Sequence, residues 1–190
     1  MKNGDKHEIA VFNRSFFESE NQISAIGTGH LGGKATGLAL MDSILRTEIG
    51  PTDFPGLEVQ IPRMVVIRTD VFDAFMRQNN LYDLAYSDQA DDRIALAFQK
   101  ADLPFEILGD LRGLISGVKV PLAIRSSSML EDAMYEPFAG IYGTKMTPNN
   151  QLDVDSRFRK LVEGIKFVYA STYFKAAKDR KLGPAKAAFG

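Results

Sequence analysis

Apolar residues recur at three- and four-residue spacing along much of the chain, and this spacing predicts helices with one buried face. The first predicted helix begins at Gly33 and ends near the Gly50-Pro51 pair, where a Pro/Gly-rich loop follows. Its repeating apolar positions are Leu38, Met41, Ile44 and Leu45. The segment before it is mixed, and its expected anchors are Phe12, Phe16 and Phe17.

A short apolar run, RMVVI at residues 63–67, is bounded by Pro62 and a polar turn, so it predicts a buried strand. Thr69 and Asp70 then offer a cap to a second helix. The expected buried face of this helix consists of Val71, Phe72, Phe75 and Met76. Residues 79–118 predict two or three further short helices. Their apolar positions are Ile94, Leu96, Ala97 and Phe98 in one, and Ile107, Leu108, Leu111 and Leu114 in the next.

Two strands and a long helix are predicted in the second half of the chain. PLAIRSSS (121–128) starts as a strand, AGIYGTKM (139–146) returns as a second strand, and TPNN (147–150) forms a turn. A helix from Asp153 to about Lys178 follows, and we expect its lysines and arginines in water because unpaired lysine is seldom buried. Its apolar face consists of Phe158, Leu161, Val162, Ile165, Val168, Tyr169 and Tyr173. No internal repeat or low-complexity linker divides the pattern, so it predicts one α/β unit.

Composition narrows the function classes. Hydrophobic residues make up 45% of the 190 and charged residues 25%, which is typical of a globular protein. A formal net charge of −1 and the lack of a dense basic run argue against nucleic-acid binding. No apolar run reaches membrane-spanning length, and the start, MKNGDKHEIA, lacks the core of a signal peptide, so we expect a cytoplasmic protein without a membrane partner. With no cysteine and only His7 and His30, thiolate chemistry and a histidine-rich metal site are excluded.

Candidate chemistry begins with GTGHLGGKATGL, residues 27–38, which places five glycines and one lysine directly before the first helix. Such a turn can hold a phosphate, because bare backbone N–H groups and a helix N-terminus both face the anion. Gly27, Gly29 and Gly32 spell the dinucleotide pattern G-x-G-x-x-G. That pattern also needs a buried strand before it and an acidic residue about twenty positions further on. Here QISAI is a marginal strand, and the later region is a Pro/Gly-flanked loop.

The P-loop pattern fails on the same stretch. Gly33 stands where its lysine should be, and Ala35 follows Lys34 where a magnesium-binding hydroxyl is needed. Two interpretations of Lys34 therefore stay open from the residues alone. It is a phosphate ligand, or it is a solvated lysine in the first turn of a helix, where the helix dipole disfavours a cation.

The second candidate stretch is AIRSSSMLEDAMYEPFAGIYGT, residues 123–144. A strand delivers Arg125 at its end, three serines follow, and a glycine-containing segment returns. A guanidinium and several backbone N–H groups could surround phosphate oxygens here, because arginine grips phosphate with two parallel hydrogen bonds. The alternative is that Arg125 is a surface residue paired with Glu131 or Asp132, and that the serines merely form turns.

Taken together, four blocks in order resemble the N-terminal nucleotide-binding part of the pyruvate phosphate dikinase and phosphoenolpyruvate synthase family. They are GGK followed by G-L, IPRMVVIRTDVF, AIRSSSMLED with PFAG, and IKFVYASTYF. The resemblance covers residues 22 to about 180 and implies the first lobe of an ATP-grasp fold, with the second lobe missing. It divides the chain into an N-terminal segment (1–21), the partial ATP-binding domain (22–180) and a frayed or truncated tail (181–190).

The resemblance also implies a nucleotide site. Its expected members are Gly32, Gly33, Lys34, Arg125, Gly140 and Thr144. Lys34 matches a glycine-flanked lysine that contacts nucleotide phosphates, and Arg125 matches a catalytic arginine that supports the transferred phosphoryl group. Gly140 matches a glycine whose backbone approaches the phosphates, and Thr144 a hydroxyl beyond it. The chain departs from the family pattern at Ala35, where a glycine is usual, and after Pro62, where glycine-phenylalanine is common.

The implied activity is the transfer of phosphate from ATP to a carrier histidine and on to pyruvate. Its cofactors are ATP and Mg²⁺, whose acidic ligands are expected downstream of this chain. The implied partners are the nucleotide and the carrier-histidine and phosphoenolpyruvate/pyruvate domains of the full-length protein, which could form a homodimer. We expect no turnover by this chain alone, and neither His7 nor His30 matches the carrier. The alternatives are a non-catalytic nucleotide-sensing or regulatory module, and an interaction domain whose glycine loop only packs.

Overall fold

A computed structural model of the 190-residue chain describes residues 9–49, 54–128 and 140–181. Within these ranges the helices are α1 (Gly33–Thr47), α2 (Thr69–Gln78), α3 (Tyr82–Tyr86), α4 (Asp91–Lys100), α5 (Leu108–Gly117), α6 (Val154–Ser171) and α7 (Lys175–Lys181). The strands are β1 (Ile23–Ile26), β2 (Met64–Ile67), β3 (Leu122–Ile124) and β4 (Lys145–Thr147). Two 3₁₀ helices, Arg14–Glu18 and Phe105–Ile107, complete the described elements. Helices combined with small sheets confirm the expected mixed α/β class.

The first sheet pairs β1 and β2 in parallel, with Ile23 opposite Met64 and Ile26 opposite Ile67. This confirms the strand predicted from RMVVI. The prediction that QISAI forms only a marginal strand was wrong, because all four residues of β1 are buried. Ser24, the one polar residue of β1, is accommodated there because its hydroxyl donates to the carbonyl of Ala10 at 3.1 Å.

The second sheet pairs β3 and β4 in antiparallel fashion, from Leu122 opposite Thr147 to Ile124 opposite Lys145. The returning strand begins later than predicted, because residues 140–142 form a turn and the amide of Gly143 donates to Ser171 Oγ at 2.8 Å. That contact fastens the segment to α6 instead of to β3. Of the turn predicted at TPNN, Thr147 belongs to β4 instead, and Asn149 adopts a positive φ of 53°.

The main core lies where α2, α4, α5 and α6 meet. Its fully buried side chains include Phe75, Met76, Ile94, Phe98, Leu111 and Ile115. The predicted buried face of α2 is confirmed at Val71, Phe75 and Met76, and Phe72 packs against the cluster while partly exposed. A smaller apolar cluster lies between β1, β2 and α1.

α1 confirms the predicted helix, but only part of its apolar face is covered. Leu38 and Leu45 pack against the smaller cluster. Met41 is 57% exposed and Ile44 is 43% exposed, so these two positions do not join a core among the described residues.

The predicted long helix is two helices, because α6 ends at Ser171 and α7 begins at Lys175. The hydroxyls of Ser171 and Thr172 donate to the carbonyls of Val168 and Tyr169 at 2.7 and 2.8 Å. Such side-chain bonds compete with the backbone ladder, and they accompany the break.

The expectation that every arginine of this segment lies in water was wrong at Arg157, which is 4% exposed. Its Nη1 atom donates to the carbonyls of Ile115 and Val118, each at 2.8 Å. A cation at these carbonyls stabilises the end of α5, because helix C-termini leave carbonyl groups without partners in the helix.

Candidate functional site

The glycine-rich loop lies at the carboxyl ends of the parallel strands. β1 leads directly into Gly27, and β2 leads into Arg68 at the start of α2. Gly27 and Gly32 have positive φ angles of 94° and 82°, which glycine adopts without strain. In open sheets with parallel strands, the carboxyl edge is where ligands usually bind.

The first half of the loop is held by the carboxylate of Asp70. Its Oδ2 atom accepts from the amide of Thr28 at 2.9 Å and from the Thr28 hydroxyl at 3.0 Å. Its Oδ1 atom accepts from the amide of Gly29 at 2.9 Å. The expectation that Thr69 and Asp70 cap α2 was wrong, because Arg68 is the N-cap and the side chains of both residues bind the loop.

Thr69 and Arg68 extend this clamp to the next loop residues. The Thr69 hydroxyl accepts from the amide of His30 at 3.0 Å, and the Thr69 amide donates to the His30 carbonyl at 3.0 Å. Arg68 Nη1 donates to the carbonyl of Gly29 at 3.1 Å. We call Arg68, Thr69 and Asp70 the loop clamp. It fixes the backbone of residues 28–30 through both amides and carbonyls.

Close packing against the clamp explains two of the glycines. A Cβ atom on Gly27 would lie 2.6 Å from Oδ1 of Asp70, and one on Gly29 would lie 2.6 Å from the Asp70 backbone nitrogen. Both distances are below any normal contact, so a side chain at either position would push the loop off α2. Glycine at these two positions therefore allows the loop and the start of α2 to come into close contact.

The electrostatics of Asp70 follow from its partners. Burial by itself would raise the pKa of this carboxyl, but the backbone N–H groups of Thr28 and Gly29 and the Thr28 hydroxyl stabilise the charged form. The net result is a pKa below the ordinary aspartate value. Asp70 is therefore ionised at neutral pH and neutralises part of the loop's positive backbone dipoles.

The second half of the loop meets the RSSS segment. The amide of Ala35, in the first turn of α1, donates to Ser127 Oγ at 2.9 Å. A Cβ atom on Gly32 would lie 1.6 Å from the carbonyl oxygen of Ser127, so only glycine allows this approach. The two stretches singled out by sequence, 92 residues apart at this contact, therefore lie against each other.

The predicted charged residues lie next to that junction. Lys34 is the second residue of α1 and adjoins Ala35, and it is partly buried. Arg125 is the first residue after β3, is exposed, and lies two residues before Ser127. Glu131 and Asp132, the alternative partners of Arg125, lie outside the described residues. The fold thus brings the segments that carry Lys34 and Arg125 to one place.

The remaining predicted site residues are Gly33, Gly140 and Thr144. Gly33 is the first residue of α1. Thr144 immediately precedes β4, and the register continued by one residue places it opposite Arg125. Gly140 has a φ of 77°, and a Cβ atom there would meet open space, so its glycine is required by backbone conformation.

Sequence reasoning did not identify the loop clamp and Ser127 as the residues that hold the glycine-rich loop and the start of α1. A signal for the clamp is present, since a polar triplet follows β2 at the sheet edge where the glycine loop follows β1. The contact between Ser127 and Ala35 depends on the placement of β3, which local pattern does not give.

Chemically, the junction suits a polyphosphate anion. The first turn of α1 contains a lysine and no acidic residue, and a helix N-terminus directs N–H groups at an anion. Within the part of the chain that the structure describes, no group of three or more His, Cys, Asp or Glu side chains could hold a metal ion. Among the same residues, no helix has the length and apolar character needed to cross a membrane.

A surface depression of about 550 Å³ lies elsewhere, lined by Gln22, Gln60, Ile61, Pro62 and Arg63. These residues precede β1 and β2, so the depression is at the amino ends of the strands. The loop junction is at the carboxyl ends. This depression and the predicted site are therefore different places.

Comparison with known families gives a match over most of the chain. The family model described as pyruvate phosphate dikinase, AMP/ATP-binding domain, matches residues 28–182. No curated protein and no solved structure matched the chain. The matched range contains the glycine loop from Thr28, the loop clamp, Ser127 and all six predicted site residues. The chain belongs to the pyruvate phosphate dikinase AMP/ATP-binding domain family.

Proposed function

We propose that this chain is the ATP-binding part of a phosphotransferase of the phosphoenolpyruvate synthase or pyruvate phosphate dikinase type. Such an enzyme passes phosphate from ATP to a carrier histidine and on to pyruvate. The observation that carries the proposal is the contact between Ala35 and Ser127, because it joins the N-terminus of α1 to the segment that delivers Arg125. The family match supports ATP as the ligand.

Each proposed site residue has a distinct role. Gly32 and Gly33 lack side chains, so they leave the N-terminus of α1 accessible to the phosphates. Lys34 supplies a positive charge to the same phosphates. Arg125 is the proposed catalytic residue and supports the transferred phosphoryl group from the end of β3. Phosphoryl transfer needs fixed positive charge around dispersed oxygen charge more than it needs a reactive side chain.

Gly140 and Thr144 complete the proposed site. Gly140 lets the backbone approach the phosphates, and Thr144 places a hydroxyl beside Arg125. The proposed fold is the first lobe of an ATP-grasp domain. The acidic Mg²⁺ ligands, the carrier histidine and the pyruvate site are proposed to belong to other parts of the full-length protein. We therefore expect no phosphoenolpyruvate formation from ATP and pyruvate by the 190-residue chain.

The test measures ATP affinity of Lys34→Ala and Arg125→Ala variants by titration. Hydrogen bonds to charged groups contribute about 1.5–3 kcal/mol each, so each variant should bind ATP about ten- to a hundredfold more weakly. Neither side chain fills the core, and we expect the unfolding temperature to stay near that of the parent.

Matched controls are Lys119→Ala and Arg159→Ala. Lys119 is exposed at the other end of β3, and Arg159 is exposed on α6. Both should bind ATP like the parent, because each removes one positive charge, as the test variants do, but leaves the junction intact. Unchanged ATP affinity in Lys34→Ala and Arg125→Ala would show that the phosphate site lies elsewhere.

A further inference from the structure

The glycine-rich stretch is held at two places by different kinds of contact. The backbone of residues 28–30 is bound by the loop clamp, and Asp70 supplies three of its hydrogen bonds. The start of α1 is bound at Ala35 by the hydroxyl of Ser127. Between the two places, Gly32 turns the chain with a φ of 82°.

The carboxylate of Asp70 occupies the amides that an incoming anion would otherwise find. Successive backbone N–H groups in a glycine-rich turn form an anion-binding concavity. Here the N–H groups of Thr28 and Gly29 already donate to the two carboxylate oxygens, each at 2.9 Å. Gly27 and Gly29 have no side chain where Asp70 approaches to within 2.6 Å of their would-be Cβ atoms. The backbone of the turn is therefore arranged around an anion that the protein itself supplies, the carboxylate of Asp70.

We propose that Asp70 is a positioning residue for nucleotide binding. It acts as an internal anion that anchors residues 28–30, orients the N-terminus of α1, and directs the phosphates away from Thr28 and Gly29 toward Gly33 and Lys34. This inference rests on the proposed function. Asp70 does not contact the nucleotide, so its effect on affinity comes from the arrangement of the loop before binding.

The expected effect follows from that indirect action. Asparagine offers one acceptor oxygen and turns an NH₂ group toward a backbone N–H, so Asp70→Asn loses part of the anchor. If the loop then holds its binding arrangement about a tenth of the time, the apparent dissociation constant for ATP rises about tenfold.

The experiment compares ATP dissociation constants and thermal unfolding midpoints of the parent chain, Asp70→Asn and Asp73→Asn. Asp73 lies one turn further along α2 and matches the charge change. We expect about tenfold weaker ATP binding in Asp70→Asn alone, with the two variants unfolding at similar temperatures. Parent-like ATP binding by Asp70→Asn, or equal losses in both variants, would overturn the positioning role and leave the proposed function standing. A parent chain that fails to bind ATP would overturn both.

A second measurement needs no substitution. In an isotope-labelled parent chain, the amide resonances of Thr28 and Gly29 should keep their chemical shifts when ATP is added, because Asp70 already holds them. The amide resonances of Gly33 and Lys34 should move. Large ATP-dependent shifts at Thr28 and Gly29 would show that the nucleotide displaces the carboxylate, and would contradict the proposal.

Discussion

The helical core and the glycine-loop region are stabilised in different ways. The core gathers fully buried apolar side chains such as Phe75 and Phe98, whose rings lie 5.7 Å apart. The loop region has backbone groups bound by the side chains of Asp70 and Ser127, and a smaller apolar cluster beneath. Apolar burial is non-directional, whereas hydrogen bonds fix particular atoms.

This difference predicts a division of mutational effects. Changes in the core should lower the free energy of unfolding without altering the loop geometry. Changes in the loop contacts should alter nucleotide binding more than stability, because each contact contributes little to folding but sets the position of α1.

The largest stability effect is expected for Phe98→Ala. Phe98 is 0% exposed, and its removal leaves a cavity against Phe75 and Tyr173. The free energy of unfolding should fall by about 3–5 kcal/mol, as denaturant titration can measure. The control is Leu96→Ala in the same helix, where the side chain is 55% exposed and the change should stay within about 0.5 kcal/mol. Equal losses of unfolding free energy in the two variants would contradict the proposed division between core and loop effects.

The next largest effect is expected for Gly32→Ala. The new methyl group would meet the Ser127 carbonyl oxygen, and the φ of 82° at position 32 disfavours any side chain. We expect destabilisation of about 1–3 kcal/mol together with loss of ATP binding. Gly37→Ala is the control, because a Cβ atom there meets open space within α1 and should stabilise the helix by about 0.5–1 kcal/mol. Normal ATP affinity in Gly32→Ala would show that the junction does not shape the site.

A smaller effect is expected for Ser127→Ala, which removes the acceptor for the amide of Ala35. The loss resembles removal of a helix cap, about 1 kcal/mol in unfolding free energy, with weaker ATP binding. Ser116→Ala is the control, since the Ser116 hydroxyl donates within α5. If both serine variants keep parent-like ATP affinity, Ser127 does not position α1.

The smallest effect is expected when pH is lowered and the Asp70 carboxylate becomes protonated. The pKa of Asp70 lies below its unfolded value of 3.8, so the stabilisation by its carboxylate is fully present above that value. It is lost as pH falls through the lower folded pKa. The amide shifts of Thr28 and Gly29 should therefore titrate below pH 3.8, and the same titration should be missing in Asp70→Asn. A midpoint above 3.8 in the parent would contradict the hydrogen-bond account.

Local pattern predicted much of the fold because most described helices have a repeating apolar face. The face of α2 and the strand at 63–67 depend only on nearby residues, and the structure confirms them. The break after Ser171 was missed because apolar spacing continues through it to Tyr173, while the hydroxyl bonds that accompany it carry no periodic signal. Arg157 was misjudged because its partners are carbonyls at the end of α5 and in its C-cap, distant in sequence.

For the site, sequence identified the two stretches but not the contacts between them. Gly32 was chosen as a phosphate residue, and the pattern did not indicate that a Cβ atom there would also meet the Ser127 carbonyl oxygen. Asp70 was interpreted as a helix cap because its neighbours suit that role, and only the parallel pairing of β1 and β2 shows that it faces the loop. Pairing between strands about forty residues apart cannot be deduced from spacing.

The most direct test of the account is an ATP titration of the isotope-labelled chain, followed at every backbone amide. We expect the largest shifts at residues 33–35 and 125–127, where α1 meets the end of β3. The amides of Gln22 and Arg63, beside the depression at the opposite ends of β1 and β2, should not move. Shifts centred on Gln22 and Arg63, with residues 33–35 unaffected, would contradict the claim that the nucleotide phosphates bind at the glycine loop.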